Sequence, residues 1–282
     1  MIPPEDIAAA GQLACLLEAS APKPGNVSPD LHFHDTRYED FLASAVAIGP
    51  ALAAAGELPL GATIRAAVEA TGRWTRSNTN LGLVLLLAPL ARAASRERGD
   101  LRSSLARVLD ETTVEDATEV YAAIRLASPG GLGHAAVEDV AGAPRVTLRE
   151  AMELAAERDA VAREYVTDFT MTFEIGVPAL RAARQAGLPW SDATVEAYMR
   201  LLGVQADTHI ARKLGLAAAE AVSRRALEVQ AAGGIRSPAG RQALAKFDAE
   251  LRDATNSRNP GTTADLTCAA LFVVIIEGMA DR

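Results

Sequence analysis

Residues 259–278 read NPGTTADLTCAALFVVIIEG. The first three make a turn: proline fixes φ, and glycine takes backbone angles closed to other residues. Thr262 or Thr263 can then cap a helix, accepting a hydrogen bond from a first-turn amide that has no intrahelical partner. From Leu266 to Ile276 nearly every position is apolar, the pattern of a helix buried among other helices. Its continuous apolar part, Ala269–Ile276, is shorter than the roughly 20 residues needed to cross a bilayer. A helix over 265–279 inside a helical domain follows. Asp265, a carboxylate at the mouth of that helix, has no part in such packing and needs its own explanation.

The rest of the chain agrees with helix packed on helix. Of 282 residues, 49% are hydrophobic and only 4% aromatic, so the core must be built mainly from alanine and branched aliphatics. Small residues let helix axes approach, and Ala and Leu are strong helix formers. Lys plus Arg number 28 against 36 Asp plus Glu, a net charge of −8. An acidic surface argues against nucleic acid or an anionic membrane as the main partner. It leaves room for a phosphorylated small molecule wherever basic residues gather. The N-terminal stretch carries Glu5 and Asp6 with no Lys or Arg, unlike a signal peptide. Cys15 and Cys268 fall in apolar helical patterns and read as buried thiols, so a cytoplasmic protein is expected. Ala-rich helices with an apolar face to spare would suit a homodimer.

Helical periodicity recurs throughout and alternating strands are absent. Helices are expected over 3–20, 37–55, 60–73, 80–97, 101–109, 114–126, 148–163, 165–186, 192–203, 207–231, 238–254 and 265–279. Capping boxes are expected at Thr112–Glu115 and Thr147–Glu150, and a cap followed by proline at Ser237-Pro238. No Ser/Gly/Pro linker divides the chain. The expectation is all-α: a single compact multi-helix domain over 1–282. One long connection, 127–147, has the length of a functional loop.

Polar residues gather at four further places, each at a helix end. Lys23-Pro24-Gly25-Asn26 is a rigid turn carrying a cation and an amide, with His32, His34 and Asp35 close behind. It reads either as a plain turn or as a phosphate or sugar contact. Imidazole and carboxylate are metal ligands, and Asp35 alone would suit magnesium. Arg76-Ser77-Asn78-Thr79-Asn80-Leu81-Gly82 opens an apolar helix. Asn78 or Thr79 would cap it, while the helix N-terminus with Asn80 makes an anion site. Gly130-Gly131-Leu132-Gly133-His134 lacks the P-loop spacing. Asp207-Thr208-His209-Ile210-Ala211-Arg212-Lys213 places His209 and Lys213 on one helical face beside Arg212. Lys23, Arg76, Arg212, Lys213 and Arg258 supply cations, and Asp35, Asp207 and Asp265 carboxylates. Together they suit a magnesium–nucleotide site.

At these residues the sequence resembles the triphosphoribosyl-dephospho-CoA synthase family. The matching segments are Glu18–Val27, Asp40–Ser44, Asn78–Gly82, Asp207–Gly215 and Asn259–Leu266, in order along almost the whole chain. The resemblance implies an all-α transferase. A ribose hydroxyl of 3'-dephospho-CoA would attack C1' of the ribose of ATP, expel adenine and leave a triphosphoribosyl adduct. The chain departs from the family pattern where it reads Asn78-Thr79-Asn80-Leu81-Gly82 in place of Asn-Thr-His-Lys-Gly. It also lacks an Arg-Gly-Glu element in the 130–134 segment. It resembles a divergent branch linked with one-carbon metabolism, for which a precursor of a pterin- or furan-type C1 carrier is the alternative acceptor.

Such a displacement passes through an oxocarbenium-like state. Mg²⁺ is assigned to Asp207 and Asp265, with Asp35 a third candidate. Phosphate and substrate contacts fall to Lys23, Asn26, Asn78, Thr79, Asn80, Arg212, Lys213, Asn259, Thr262 and Thr263. Asp35 or Glu18 would be the general base, and His209 would donate to the leaving base. Two rivals remain: a magnesium-dependent nucleotide hydrolase, and a non-catalytic helical protein that binds a cofactor.

Overall fold

The structure, a computed structural model, describes residues 2–96, 99–129, 135 and 137–280. The helices are α1 (Pro4–Ser20), α2 (Tyr38–Ala47), α3 (Gly49–Ala53), α4 (Leu60–Gly72), α5 (Leu81–Ala94), α6 (Leu101–Asp110), α7 (Val114–Ala127) and α8 (Leu148–Ala155). There follow α9 (Ala160–Val166), α10 (Val177–Gln185), α11 (Trp190–Val204), α12 (Thr208–Leu214), α13 (Leu216–Ala231), α14 (Pro238–Leu251) and α15 (Gly261–Ala280). Among the described residues there is no strand, only an isolated bridge between Ser28 and Leu31. The all-α expectation holds.

Helix α15 runs through the middle, packed against α1, α5, α10 and α11. Cys268, Ala269, Ala270, Leu271, Phe272 and Val273 are wholly buried. Over Gly261–Met279 it is long and apolar enough to cross a bilayer by length and composition, but two-thirds of that window is buried inside the protein. Its apolar surface is spent on neighbouring helices. A second apolar cluster joins α11, α13 and α14 through Tyr198, Leu202, Val229 and Phe247. Burying each such side chain contributes about 1.5–3 kcal/mol.

Four expected helices are broken, each for a local reason. The 37–55 segment ends its first helix at Ala47, because Pro50 has no N–H to continue it. The 148–163 segment divides where Asp159 caps α9, accepting from the amides of Val161 at 2.9 Å and Ala162 at 3.1 Å. The 165–186 segment is interrupted by left-handed Asp168 and Phe169, followed by a π-helical turn, Met171–Gly176. Buried Glu164 holds that turn, accepting from Met171 N, Thr172 N and Thr172 Oγ1. The 207–231 segment is cut at Gly215, whose φ of +88° suits glycine.

Caps were partly legible. Thr147 with Glu150 forms the expected capping box, and Ser237 Oγ accepts from Gly240 N at 3.0 Å. At the start of α7 the box is Thr113 with Asp116, one residue later than expected. Asp116 also accepts from Gly61 N of α4 at 2.7 Å. That tertiary bond selects Asp116 over Glu115.

Candidate functional site

The ends of α1, α5, α12 and α15 converge on a cavity of about 550 Å³, which extends between α7, α8 and α9. Pro260 packs against Gly25, whose φ of +74° leaves no room for a side chain facing Leu251 and Pro260. The turn before α15 and the turn after α1 are thereby locked together. Gly261 starts α15, so Asp265 lies one turn inside the helix rather than at its cap. It lines the cavity opposite Gly82, at the first turn of α5. Although open to the cavity, its carboxyl is walled in by protein. Loss of water, with Glu18, Asp207 and Asp159 nearby, raises its pKa well above the ordinary value, and Arg212 opposes the rise.

Glu18 is 3% exposed and also lines the cavity. Its carboxylate oxygen Oε1 lies 3.0 Å from Lys23 Nζ, an ion pair. The approach misses hydrogen-bond direction, so that oxygen keeps unused accepting capacity. Lys23 is 1% exposed, and its ammonium donates to the carbonyls of Glu18 and Ala21. It does not line the cavity. The structure thus sets Lys23, expected as a phosphate contact, behind the cavity wall, where its buried ammonium pairs with Glu18.

Asp207, expected as a magnesium ligand, is engaged within the protein. Its Oδ1 accepts from the amides of His209 and Ile210, capping α12, and its Oδ2 accepts from Thr263 N at 2.7 Å and Thr263 Oγ1 at 2.8 Å. Both oxygens are committed, and neither Asp207 nor Thr263 lines the cavity. They form a strut joining α12 to α15. Burial raises the Asp207 carboxyl above its ordinary value, with these hydrogen bonds opposing. Thr262 does reach the cavity, and accepts from Thr208 Oγ1 at 3.1 Å.

Arg212, Lys213 and His209 share the cavity wall. Arg212 Nη1 donates to Asp159 Oδ2 at 3.1 Å, while its Nε is buried without a partner. Lys213 donates to the Asn256 carbonyl at 3.3 Å, and burial lowers its pKa. Burial and the two neighbouring cations push the His209 imidazole down to about 3, so it is neutral at ordinary pH. An imidazolium donor is therefore not what the structure offers.

The N-cap position of α5 is Asn80, whose side chain makes no cap bond; Asn78 Oδ1, two residues earlier, accepts from Leu81 N at 3.1 Å. The Thr79 hydroxyl pairs with Ser44 at 2.5 Å, and Asn80 donates to Thr71 at 2.9 Å. All three still border the cavity. Asp35 lies at its exposed rim, with Thr36 donating to it. His32 and His34 serve neighbouring groups, accepting from Tyr38 N and pairing with Asn256. Arg76 and Arg258 stay outside the cavity lining. The Gly130–His134 segment lies outside the described residues, but Val137, Glu138 and Val140 behind it line the cavity.

Four buried side-chain polar atoms lack a hydrogen-bond partner among the described residues: Glu18 Oε1, Asn26 Nδ2, Arg212 Nε and Asn259 Oδ1. All four belong to residues that line this one cavity. The Asn26 side chain also acts on the buried Tyr198 hydroxyl, which donates to the Pro24 carbonyl at 2.8 Å. Glu18 Oε1 is still met by the Lys23 ammonium, so the open capacity rests mainly with Arg212 Nε and Asn259 Oδ1, where an unmet buried group costs about 1–3 kcal/mol; their gathering marks a place suited to a polar ligand. Sequence reasoning missed Asp159, Arg158 and Tyr121. Asp159 was readable as a cap before Ala160, but its pairing with Arg212 was not.

No His, Cys, Asp and Glu residues group in threes that could hold a metal ion by themselves, among the described residues. Magnesium needs less: one or two carboxylates, with water and phosphate oxygens completing the shell. Asp265, whose raised pKa arises from burial and neighbouring carboxylates, and the Asn259 oxygen without a partner among the described residues fit that hard-oxygen role.

Comparison with known proteins gives a consistent picture. A 2-(5''-triphosphoribosyl)-3'-dephosphocoenzyme-A synthase from Klebsiella pneumoniae is 38% identical over 104 residues, 37% of this chain and 36% of the relative. A Pseudomonas syringae pv. tomato protein of like description is 34% identical over 105 residues, 37% of this chain and 35% of its own. These alignments thus span about a third of the curated relatives' length. A crystal structure from Archaeoglobus fulgidus, described as a triphosphoribosyl-dephospho-CoA synthase, superposes with a TM-score of 0.64 at 27% identity. It covers 84% of this chain and 99% of that one. The family model described as ATP:dephospho-CoA triphosphoribosyl transferase matches residues 4–281, and the chain belongs to that family.

Proposed function

We propose that this protein transfers the 5-triphosphoribosyl group of ATP to a ribose hydroxyl of 3'-dephospho-CoA, releasing adenine. The observation that carries the reading is the gathering around one cavity of the four buried polar atoms that lack a hydrogen bond among the described residues, one of them ion-paired to Lys23, together with Arg212, Lys213 and Asp265. Family membership supplies the substrates.

In this transfer an O–C1' bond forms and the C1'–N9 bond breaks. The hydroxyl proton leaves to a base, and adenine takes up a proton. Arg212, with its unspent Nε, and Lys213 hold the triphosphate, aided by the positive N-terminal ends of α5 and α15. Mg²⁺ would be held by Asp265 with Asn259, and Asp35 at the rim is within the same lining; when bound, it neutralises phosphate charge. Glu18 is the better base than Asp35. It is buried in the wall with accepting capacity left over, whereas Asp35 is exposed to competing water. Lys23 fixes Glu18 through their ion pair. Neutral His209 can still donate one N–H to the departing base.

The test is to incubate the protein with ATP, Mg²⁺ and 3'-dephospho-CoA and follow adenine by chromatography. Acceptor-dependent release is expected. Release without acceptor would identify a hydrolase, and nucleotide binding without turnover a binding protein. A C1-carrier precursor run in parallel as acceptor decides between the two acceptor classes.

A further inference from the structure

The cavity has two unlike ends. Among the described residues, every buried polar atom without a hydrogen bond belongs to the wall made by α1, the turn after it, α12 and the turn before α15. The far wall, from α5, α7, α8 and α9, presents Leu85, Ile124, Leu148, Ala151, Met152 and Val161. No buried polar atom there lacks a partner, among the described residues. Tyr121 stands in this wall, its hydroxyl donating to the Glu138 carbonyl at 2.8 Å. Its polar tip is satisfied and its ring is fixed, which leaves ring carbon for a ligand to pack against. A molecule that fills both ends must be anionic at one and apolar at the other.

We propose that the arm between α7, α8 and α9 receives the purine of the nucleoside triphosphate, while the triphosphate lies along Arg212 and Lys213. This rests on the nucleotide-transfer reading above. Ala151 and Ala155 are one turn apart on α8, so they share a face and both line the cavity. Their short side chains leave the space that a planar ring would occupy. Helix α5 connects the two ends. Gly82 in its first turn abuts Asp265, and Leu85, about one 5.4 Å turn further, belongs to the apolar wall. The glycosidic carbon, between base and triphosphate, then falls beside Asp265. The reverse orientation would set three phosphates against aliphatic side chains and the carboxylates of Glu138 and Asp139, with Arg158 as the cation there to replace their water.

Calorimetric titration in the presence of Mg²⁺ tests the orientation. The wild-type protein should bind ATP at least tenfold more tightly than inorganic tripolyphosphate. Equal affinities would overturn the proposal, and this comparison needs no substitution. Ala155→Leu and Ala151→Leu, which fill the arm, should weaken ATP about tenfold or more. Both should leave tripolyphosphate and 3'-dephospho-CoA within twofold. Weakened 3'-dephospho-CoA with unchanged ATP would assign the arm to the acceptor and refute the proposal. Equal weakening of ATP and tripolyphosphate would refute it too. Adenine release is scored separately. Its absence alongside base-dependent, Leu-sensitive ATP binding sinks the transferase reading and supports the orientation; its presence without base dependence does the reverse.

Discussion

A methyl group on Gly82 would lie 2.0 Å from Asp265 Oδ2. The first turn of α5 and the second turn of α15 therefore touch at the carboxylate itself, and the absence of a side chain at 82 sets where Asp265 sits. Gly82→Ala should leave cooperative unfolding intact, because the clash is with a side-chain end, at a cost of about 1–3 kcal/mol. Displacing Asp265 by about 1 Å should lower transfer by about 100-fold. Adenine-release kinetics and thermal melts together check this; full activity in Gly82→Ala would remove Asp265 from the reaction.

Asp265 also links stability to pH. Its folded pKa is raised, so the folded state holds a proton that the unfolded state releases. In the ligand-free protein, stability is lost as pH rises from the ordinary carboxylate value through the raised one. Asp265→Asn has no such loss. It should melt above wild type at pH 7, and the difference should close toward pH 4. Its magnesium-dependent activity should vanish. A variant that melts below wild type at pH 7 contradicts the assignment.

Lys23 and Glu18 form a buried pair, and removing one charge strands the other. Lys23→Met should cost about 3–5 kcal/mol in urea unfolding. Adding Glu18→Gln should recover part of that cost, since the residues act as a unit. Independent, additive losses would show that the pair is not coupled.

Asp207 separates a strut from a metal ligand. Asp207→Ala loses a helix cap and the tie to Thr263, worth about 2–4 kcal/mol together. The apparent Mg²⁺ requirement of the remaining activity should move less than about twofold, since the carboxylate oxygens are already committed to four donors. A tenfold rise would return Asp207 to the metal.

His209 should stay neutral between pH 5 and 8, its imidazole being held down to about 3. Its proton NMR signals should not titrate in that range. The folded value lies below the unfolded one, so His209 contributes stability above about pH 6.5 that is lost as pH falls toward 3. A titration midpoint near 6.5 in the folded protein would contradict the burial argument.

Much of this was legible in the chain. The all-α class followed from unbroken helical periodicity. The central helix followed from LTCAALFVVII, and the site's neighbourhood from polar clusters at helix ends. Asp265, Glu18, Arg212, Lys213, Asn259 and the Asn78–Gly82 turn do line one cavity. The roles within that set were less accessible. Lys23 and Asp207 have the residue types of a phosphate contact and a metal ligand, yet both are spent inside the protein.

The sequence by itself determined which segments are helical and which helix is buried, because periodicity and turn chemistry act over a few residues. It also determined that acidic and basic groups cluster at helix mouths. Only the tertiary structure decided which of those groups keep free valence. That depends on partners far along the chain, Thr263 for Asp207, Asp159 for Arg212 and Gly82 for Asp265, and for Lys23 on how its turn folds back onto Glu18. A carboxylate whose lone pairs are filled caps a helix, whereas one left unfilled in a cavity is available to a ligand. The difference lies in packing between segments as much as 183 residues apart, from 82 to 265, and no local pattern encodes it.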